Sequence, residues 1–417
     1  MDSSLLVAKL TRTAWVLALL LVILLIGTAC TLPQIPQGAQ QPKDAAPLPA
    51  LAGPADPAAV EDSAKASKGV STQELSQEPA PASLPTRADR TSAPTPVLDD
   101  SPEQAELREY MLGLINHDRV ENGLPPVVLG SNTASQKHAE DKLQHGYSSH
   151  WGRDGLKPYM RYTRAGGADY ESENVADPVF LEEGINYIQK PPKESLAEAQ
   201  VGLMNSPGHR RNILNRWHKK VNLGIACTDI ACSVVQQFQG DYVEFDLSPE
   251  ITDGFLSFSG TLKDGFEFQG VQVWWDPPPH SLTLGQLDAT HSYGMGIPAV
   301  FIRQPLLGNS FYPEDSSVYA WTVGVDPYRV DPDTPRAEPV CQGDVCTYPP
   351  GPPTSEVSVE VPWVTAAVWQ ASGGSFGLGA DISETVSQLG AGVYTIAIWG
   401  VKGNESVSLT RYSVFLE

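Results

Sequence analysis

The chain has 417 residues, a formal net charge of −21 and 18% charged residues, so acidic side chains outnumber basic ones. This charge argues against a nucleic-acid partner, because nucleic-acid-binding proteins present basic surfaces to the phosphates. The charge indicates instead a soluble protein that is repelled by anionic surfaces. We therefore expect no nucleic acid among the partners of this protein.

The first 30 residues are typical of an export signal. Lys9 and Arg12 precede an apolar run over 14–26, and small residues lead from there to Cys30. Such a run suits a signal peptide, since a membrane-spanning helix needs about 20 apolar residues. Cys30 resembles the lipidated cysteine of a bacterial lipobox, although position 27 is Gly instead of Leu. The alternative is an uncleaved anchor, and both interpretations place the chain outside the cytoplasmic membrane, attached to its outer face.

Residues 31–100 are predicted to form a disordered linker. The segment is rich in Pro and Ala and contains no Phe, Tyr or Trp. Such a composition cannot bury enough apolar surface to offset the entropy of ordering the chain. We expect an extended spacer between the membrane and the folded regions.

Four further cysteines form two pairs with the same spacing, Cys227 with Cys232 and Cys341 with Cys346. Short loops of this kind close as disulfides in an oxidising compartment, which agrees with export. The alternative is that such a pair supplies half of a zinc site, but no matching Cys/His cluster lies nearby in the sequence. The spacing therefore favours two disulfides.

Residues 101–245 have the pattern of a mixed helix-and-strand domain. Ser101 and Pro102 are typical of a helix start, and apolar residues at helical spacing continue until Gly123. Further helices are predicted over 133–144, 194–204 and 206–214. Two strands, 221–227 and 232–238, follow as a hairpin that a Cys227–Cys232 bond closes.

From residue 251 to 417 the pattern changes to short strands separated by Gly- and Pro-rich turns, which indicates an Ig-like β-sandwich of one or two modules. Strands are predicted over 255–262, 270–275, 318–325, 357–361, 365–370, 393–399 and 406–415. Most of the tryptophans in or beside these runs are expected to pack in the sandwich core, and the region is expected to add a surface for adhesion or carbohydrate contact. They are Trp274, Trp275, Trp321, Trp363, Trp369 and Trp399.

Three polar segments of the first domain carry possible chemistry. They are the segment from S-H at 149–150 through D-G at 154–155 and Pro158 to Arg161, S-E-N-V at 172–175 and N-S-P-G-H-R-R-N-I-L at 205–214, and Q-Q-F follows at 236–238. In this order the segments resemble the CAP superfamily, also called SCP-like or pathogenesis-related-type, in its bacterial form. The resemblance covers about 103–245 and implies a CAP-type αβα sandwich, hence an α+β fold overall.

The resemblance also implies a polar cleft formed by His150, Glu173 and His209. Eukaryotic members carry two His and two Glu there, and this chain has Ser206 in place of one Glu. Many members of the family bind lipids, sterols or other partners without established catalysis. The sequence therefore favours a binding module over an enzyme.

The residue types in this cleft permit several chemistries. His209 begins a helix that Ser206 is expected to cap, and the helix dipole there favours neutral imidazole. His150 and His209 with one carboxylate make a common set of ligands for zinc or another divalent metal. The same groups suit general acid–base work, or they simply stabilise the local fold. A basic run indicates a solvated face or contact with anionic wall polymers or lipid headgroups. It consists of Arg210, Arg211, Arg216, His218, Lys219 and Lys220.

Three functions follow from these observations. The leading one is an envelope-anchored binding module for a lipid, a glycan, a wall polymer or a protein ligand. The second is a metal-dependent hydrolase that uses the same cleft, for which metal-activated water must replace the missing nucleophile. The third is a structural envelope or adhesion protein.

Overall fold

The computed structural model describes residues 101–169, 171–177, 190–228, 232–308, 310–323, 326–338, 340–342, 345–347 and 355–417. The predicted signal segment with Cys30 and the predicted linker lie outside these residues. Within the described part of the chain, no helix is long and apolar enough to cross a membrane.

Residues 102–239 are here called the helix-and-sheet domain. Four of its five helices begin near the predicted positions. The five helices are α1 (Pro102–Glu121), α2 (Ala134–His145), α3 (Pro158–Arg164), α4 (Pro192–Asn205) and α5 (Pro207–Ile213). Ser101 Oγ accepts a hydrogen bond from the amide of Gln104 at 3.2 Å and so caps α1. The expected cap of α5 is wrong, because the Ser206 side chain makes no capping hydrogen bond. Helix α3 was not predicted.

A four-stranded sheet completes this domain. Its strands are β1 (Val128–Leu129), β2 (Glu171–Ala176), β3 (Lys220–Cys227) and β4 (Cys232–Gln239), in the order β1-β3-β4-β2. Strands β3 and β4 form the predicted hairpin, in which Cys227 lies opposite Cys232. The predicted Cys227–Cys232 disulfide is confirmed.

Helices cover both faces of the sheet. On one face α1, α4 and α5 contribute Met111, Leu196 and Ile213 to a core with the strand residues Leu223 and Phe238. The other face packs against α2. A Cβ atom on Gly224 would lie 2.0 Å from the carbonyl oxygen of Ser135 at the start of α2, so only glycine permits this approach. The predicted αβα sandwich is therefore confirmed.

Residues 243–417, here called the β-sandwich, contain strands and a few short helices. The strands are β5 (Val243–Thr252), β6 (Phe255–Leu262), β7 (Glu267–Asp276), β8 (Ile297–Arg303), β9 (Ser316–Val323), β10 (Val340–Gln342), β11 (Val345–Thr347), β12 (Ser355–Thr365), β13 (Val368–Ser372), β14 (Ser375–Asp381), β15 (Gly392–Lys402), β16 (Glu405–Ser408) and β17 (Tyr412–Leu416). The helices are α6 (Leu284–Asp288), a 3-10 turn (Pro327–Arg329) and α7 (Ser383–Leu389).

Two sheets of the sandwich enclose one core. The larger has the order β16-β15-β7-β8-β12-β9 with β17 beside β15, and the smaller has the order β13-β14-β6-β5. Phe258 and Phe376 of the smaller sheet share an apolar cluster with Val273, Val300 and Ile396 of the larger. The predicted α+β class with a C-terminal all-β region is confirmed.

Some predicted strands are divided in the structure. The run 365–370 is interrupted because the chain crosses between sheets there. The amide of Ala366 donates to Arg303 on β8, and that of Ala367 donates to Gly379 on β14. The run 406–415 is likewise divided, around the buried Leu409. Strands β5, β8, β10, β11 and β14 were not predicted.

The tryptophans follow their prediction in part. Trp275 and Trp369 pack against the sandwich core. Trp274 is buried as well, but in a cluster with Leu156 and Met160 of the helix-and-sheet domain. Trp363 is partly buried and Trp399 is buried, while the side chain of Trp321 lies outside the described part.

The second cysteine pair lies in the small β10–β11 hairpin. Cys341 and Cys346 occupy opposite positions in its antiparallel register. Their side chains lie outside the part that the structure describes, so their disulfide stays a prediction. The backbone pairing agrees with the short loop that the spacing indicated.

Candidate functional site

The three predicted cleft residues come from separate elements and meet at one place, here called the His/Glu cluster. His150 follows α2, Glu173 lies on β2 and His209 lies in the first turn of α5. His150 Nδ1 is 3.0 Å from Glu173 Oε1, and the ring centroids of His150 and His209 are 6.2 Å apart. The Asn174 side chain, next to Glu173, donates to the backbone carbonyl of His209 at 3.1 Å.

The carboxylate of Glu173 is buried, with 1% of the residue exposed, and side chains surround it. Arg161 Nη2 donates to its two oxygens at 3.1 and 3.3 Å, and Gln237 Nε2 donates to Oε2 at 3.2 Å. Burial by itself would raise the pKa of Glu173, but Arg161 and His150 outweigh it and hold the pKa below its usual value. Glu173 is therefore an ionised acceptor with both oxygens engaged.

The backbone of Glu173 is engaged as well. Its amide donates to the hydroxyl oxygen of Tyr293 at 2.7 Å, and its carbonyl accepts from Asn212 Nδ2 at 3.4 Å. Strand β2 is the last strand in the sheet order that the structure describes, so among the described strands none lies on its other side to bind these groups. Side chains from α5 and from the β-sandwich thus replace a neighbouring strand at this position.

The imidazole of His150 is enclosed. Its ring centroid lies 4.7 Å from that of Tyr293, and 6% of the residue is exposed. The residues beside it are fixed to the β-sandwich, since Ser149 Oγ donates to Thr290 O at 3.1 Å and Trp151 Nε1 donates to Ser292 O at 3.1 Å. A carboxylate on Nδ1 indicates the tautomer with a proton there, which leaves Nε2 as an acceptor.

His209 is the more exposed imidazole of the cluster. Burial, and to a smaller extent the nearby His150, lower the pKa of His209 to about 4. The sequence argument expected neutral imidazole from the helix dipole, whereas burial is the larger cause in the structure. At neutral pH His209 is uncharged and able to donate and accept hydrogen bonds.

A metal site is not formed by these residues as they stand. Among the described residues, no three His, Cys, Asp or Glu side chains are grouped to hold a metal ion. Glu173, the carboxylate nearest to His150, has both oxygens in hydrogen bonds with donors. Zinc binding by His150 and His209 therefore stays a prediction.

Sequence reasoning assigned no role to three residues that contact the cluster. Arg161 lies on α3, and its Nη1 also donates to Leu156 O at 2.6 Å. Gln237 lies directly opposite Glu173 in the β2–β4 register, which a correct strand prediction for β2 would have indicated. Tyr293 comes from the β-sandwich, 120 positions after Glu173, and nothing in the local sequence identifies it.

The predicted basic run does not form one exposed surface. His218 is buried, and its ring is stacked on Phe238 with centroids 5.2 Å apart. Arg216 forms an ion pair with Glu405, and Lys219 forms one with Asp264, both partners belonging to the β-sandwich. These exposed pairs connect the two regions at the surface, and they leave fewer cations for an anionic polymer.

Comparisons with known proteins find remote similarity only. No protein-family model and no curated protein matches the chain. Solved structures that match include an SCP-domain extracellular protein from Bacillus anthracis str. Ames, with 23% identity over 34% of this chain and a TM-score of 0.27. Another is an outer surface protein from Borrelia burgdorferi, 94% of which is covered, with 17% identity over 33% of this chain and a TM-score of 0.25. The chain spans 44% of the length of the Bacillus protein, and at these scores the similarity carries no argument about function.

Proposed function

We propose that this chain is an exported surface protein of the CAP type whose helix-and-sheet domain binds a ligand at the His/Glu cluster. The motifs that resemble the family supply His150, Glu173 and His209, and these side chains lie together on an αβα scaffold. The Cys227–Cys232 disulfide supports an oxidising compartment. Lipidation of Cys30, or an uncleaved anchor, would hold the chain at the outer face of the membrane.

The observation that carries binding over catalysis is the state of Glu173. A general base needs a pKa near the working pH and an oxygen that reaches the substrate. Here the pKa is lowered, and His150, Arg161 and Gln237 occupy both oxygens. Glu173 therefore orders its neighbours, and it is unsuited to remove a proton from a substrate.

The ligand chemistry follows from the charge of the cluster. The charges of Glu173 and Arg161 compensate each other at 3.1 Å, and His209 is neutral at pH 7. Such a surface offers hydrogen bonds without net charge, which suits hydroxyl groups better than phosphates or ammonium groups. We therefore expect a hydroxyl-bearing ligand, such as a wall glycan or a lipid with a sugar headgroup.

The test is a screen of glycans and lipids with the full-length protein in detergent. His150→Ala and His209→Ala should each weaken binding of a captured ligand at least about tenfold, the effect of losing an interaction of about 1.4 kcal/mol. His117→Ala is the matched control, because His117 is exposed on α1. Equal affinity in wild type and both cluster variants would contradict the proposal.

A metal-dependent hydrolase is the second candidate, and one observation favours it. A carboxylate on His150 Nδ1 orients the imidazole, as carboxylates do for metal-binding histidines, and leaves Nε2 as the nitrogen that would bind a metal. The metal would have to be held by His150 and His209, so zinc titration of the full-length protein tests this candidate. Stoichiometric zinc lost in both alanine variants would support it, and no zinc uptake by the wild type would remove it.

A further inference from the structure

The β-sandwich reaches over the His/Glu cluster through one connection. Residues 277–296, here called the β7–β8 connection, link the two strands and contain α6. Leu282 and Leu287 of the connection are buried in a cluster with Tyr147 and Trp151, which lie before and after His150 in the sequence. Met295, near its end, is buried against Leu156. The connection therefore packs against the helix-and-sheet domain along its length.

Tyr293 of this connection contacts two members of the site at once. Its hydroxyl oxygen accepts the amide hydrogen of Glu173 at 2.7 Å, while its ring lies against His150 with centroids 4.7 Å apart. The amide of a strand residue can remain buried only if it finds such an acceptor. The side chain of Tyr293 thus binds the backbone of Glu173 and covers one face of the His150 imidazole.

A buried polar group fixes the position of Tyr293. Asp276 Oδ1, at the end of β7, accepts from Lys157 Nζ at 2.7 Å, and its Oδ2 accepts from the Tyr159 hydroxyl at 2.8 Å. Lys157 Nζ also donates to the carbonyl of Gly294 at 2.6 Å, directly after Tyr293. Both charged side chains are almost fully buried, at 7% and 5% exposure.

The same short segment of the helix-and-sheet domain serves both sides of the contact. Lys157 precedes α3 and Tyr159 lies in its first turn, and both bind the β-sandwich. Arg161, one turn from Lys157, binds Glu173. A buried ion pair contributes little net stability, because desolvation offsets the Coulomb attraction. Its geometry instead fixes the β7–β8 connection and Arg161 in one arrangement.

We propose that Tyr293 is a positioning residue of the His/Glu site and that the site is composite, incomplete without the β-sandwich. The ring of Tyr293 shields His150 from solvent on one side. Its hydroxyl keeps β2 in place at Glu173. The inference deepens the proposed binding function, but the two roles of Tyr293 exist with or without a ligand.

The first test measures the reactivity of His150 in the full-length protein. Diethyl pyrocarbonate modifies accessible imidazoles, and mass spectrometry gives the rate at His150 relative to the exposed His117. Tyr293→Ala should raise the rate at His150 about tenfold or more, because the covering ring is gone. Tyr312→Ala, the same change in a β-sandwich residue whose hydroxyl donates to Gln304 O, should leave it unchanged. Equal rates in wild type and Tyr293→Ala would overturn the proposal.

The second test uses Tyr293→Phe, which keeps the ring and removes the acceptor. Hydrogen exchange at the Glu173 amide should become about fivefold to tenfold faster, as expected for the loss of one hydrogen bond. The amide of Leu223, in the core strand β3, is the internal reference and should keep its wild-type rate. Reactivity of His150 should stay within about twofold of wild type. Unchanged exchange at Glu173 would contradict the positioning role even if Tyr293→Ala failed to fold.

Neither measurement requires a ligand, so the two proposals fail separately. A screen that captures nothing, together with the predicted changes at His150 and Glu173, would remove the binding function and leave the composite site standing. A captured ligand whose affinity depends on His150, together with no change in the Tyr293 variants, would leave the function and remove the composite site.

Discussion

Replacing Glu173 by Gln tests whether the buried carboxylate holds the site together. The change keeps the size of the side chain and removes its charge, so Arg161 loses its ion-pair partner while 9% of the Arg161 side chain is exposed. Removing one partner of a buried ion pair costs about 3–5 kcal/mol, because the remaining charge is left uncompensated. The new amide group would also face the donor Nε2 of Gln237. We expect Glu173→Gln to lower the free energy of unfolding by this amount.

Urea-induced unfolding at pH 7, followed by tryptophan fluorescence, measures the loss. Glu198→Gln is the matched control, since Glu198 pairs with Lys190 at 2.6 Å but has 56% of its side chain exposed. Exposed pairs contribute about 0–1 kcal/mol, so the control should change little. A double variant with Arg161→Gln should cost less than the sum of the single variants if the two charges interact. Equal losses in Glu173→Gln and Glu198→Gln would refute the reasoning.

Three further predictions concern the framework around the site. Burial lowers the pKa of His218 to about 3, whereas histidine in the unfolded chain titrates near 6.5, so the unfolded chain takes up a proton first as pH falls. Between pH 7 and pH 5 the wild type should therefore lose about 2 kcal/mol more stability than His218→Gln, which urea unfolding at both pH values measures. Replacing Cys227 and Cys232 by Ala should cost about 2 kcal/mol, because the loop is short, and urea unfolding of the variant beside the oxidised wild type measures this loss. Gly224→Ala should lower the melting temperature by more than 5 °C, since its Cβ would lie 2.0 Å from the Ser135 carbonyl oxygen; an unchanged melting temperature would contradict the close contact of α2 with the sheet.

Local sequence signals identified the elements that have strong boundaries. Ser101 and Pro102 begin α1 as predicted, and Gly146 ends α2 with a φ of 62°. The paired cysteines marked the hairpin of β3 and β4 correctly. These signals succeed because caps, left-handed glycines and short disulfide loops depend on neighbouring residues only.

The signals failed where tertiary contacts decide the structure. Strand β2 has the sequence ESENVA, which is too polar to be recognised, and it is stabilised by pairing with β4 and by side chains that bind Glu173. Strand 365–370 was predicted as one element, but the chain changes sheets at Ala366 and Ala367. His218 was placed on a basic surface because its neighbours in sequence are cationic, whereas its ring packs on Phe238.

The candidate site shows the same division. The order of motifs, through the family resemblance, indicated His150, Glu173 and His209, and their side chains lie near one another in the structure, while their role as a binding cleft stays a prediction. Arg161 and Tyr293 depend on a short helix and on a connection from a different region, and no spacing rule relates them to Glu173. For a site assembled across two regions, the sequence therefore predicts the residues within the motifs and does not predict those that other elements contribute.

The position of β2 has a consequence for solubility. An unpaired strand at the border of a sheet is a template on which a second chain can add a strand, and this leads to aggregation. In this protein the outward amide and carbonyl of Glu173 are already bound, by Tyr293 and Asn212. A shortened chain that ended before β7 would expose that amide together with the apolar residues Trp151 and Met160, which the β7–β8 connection and Trp274 cover. The β-sandwich thus protects the helix-and-sheet domain from self-association through β2.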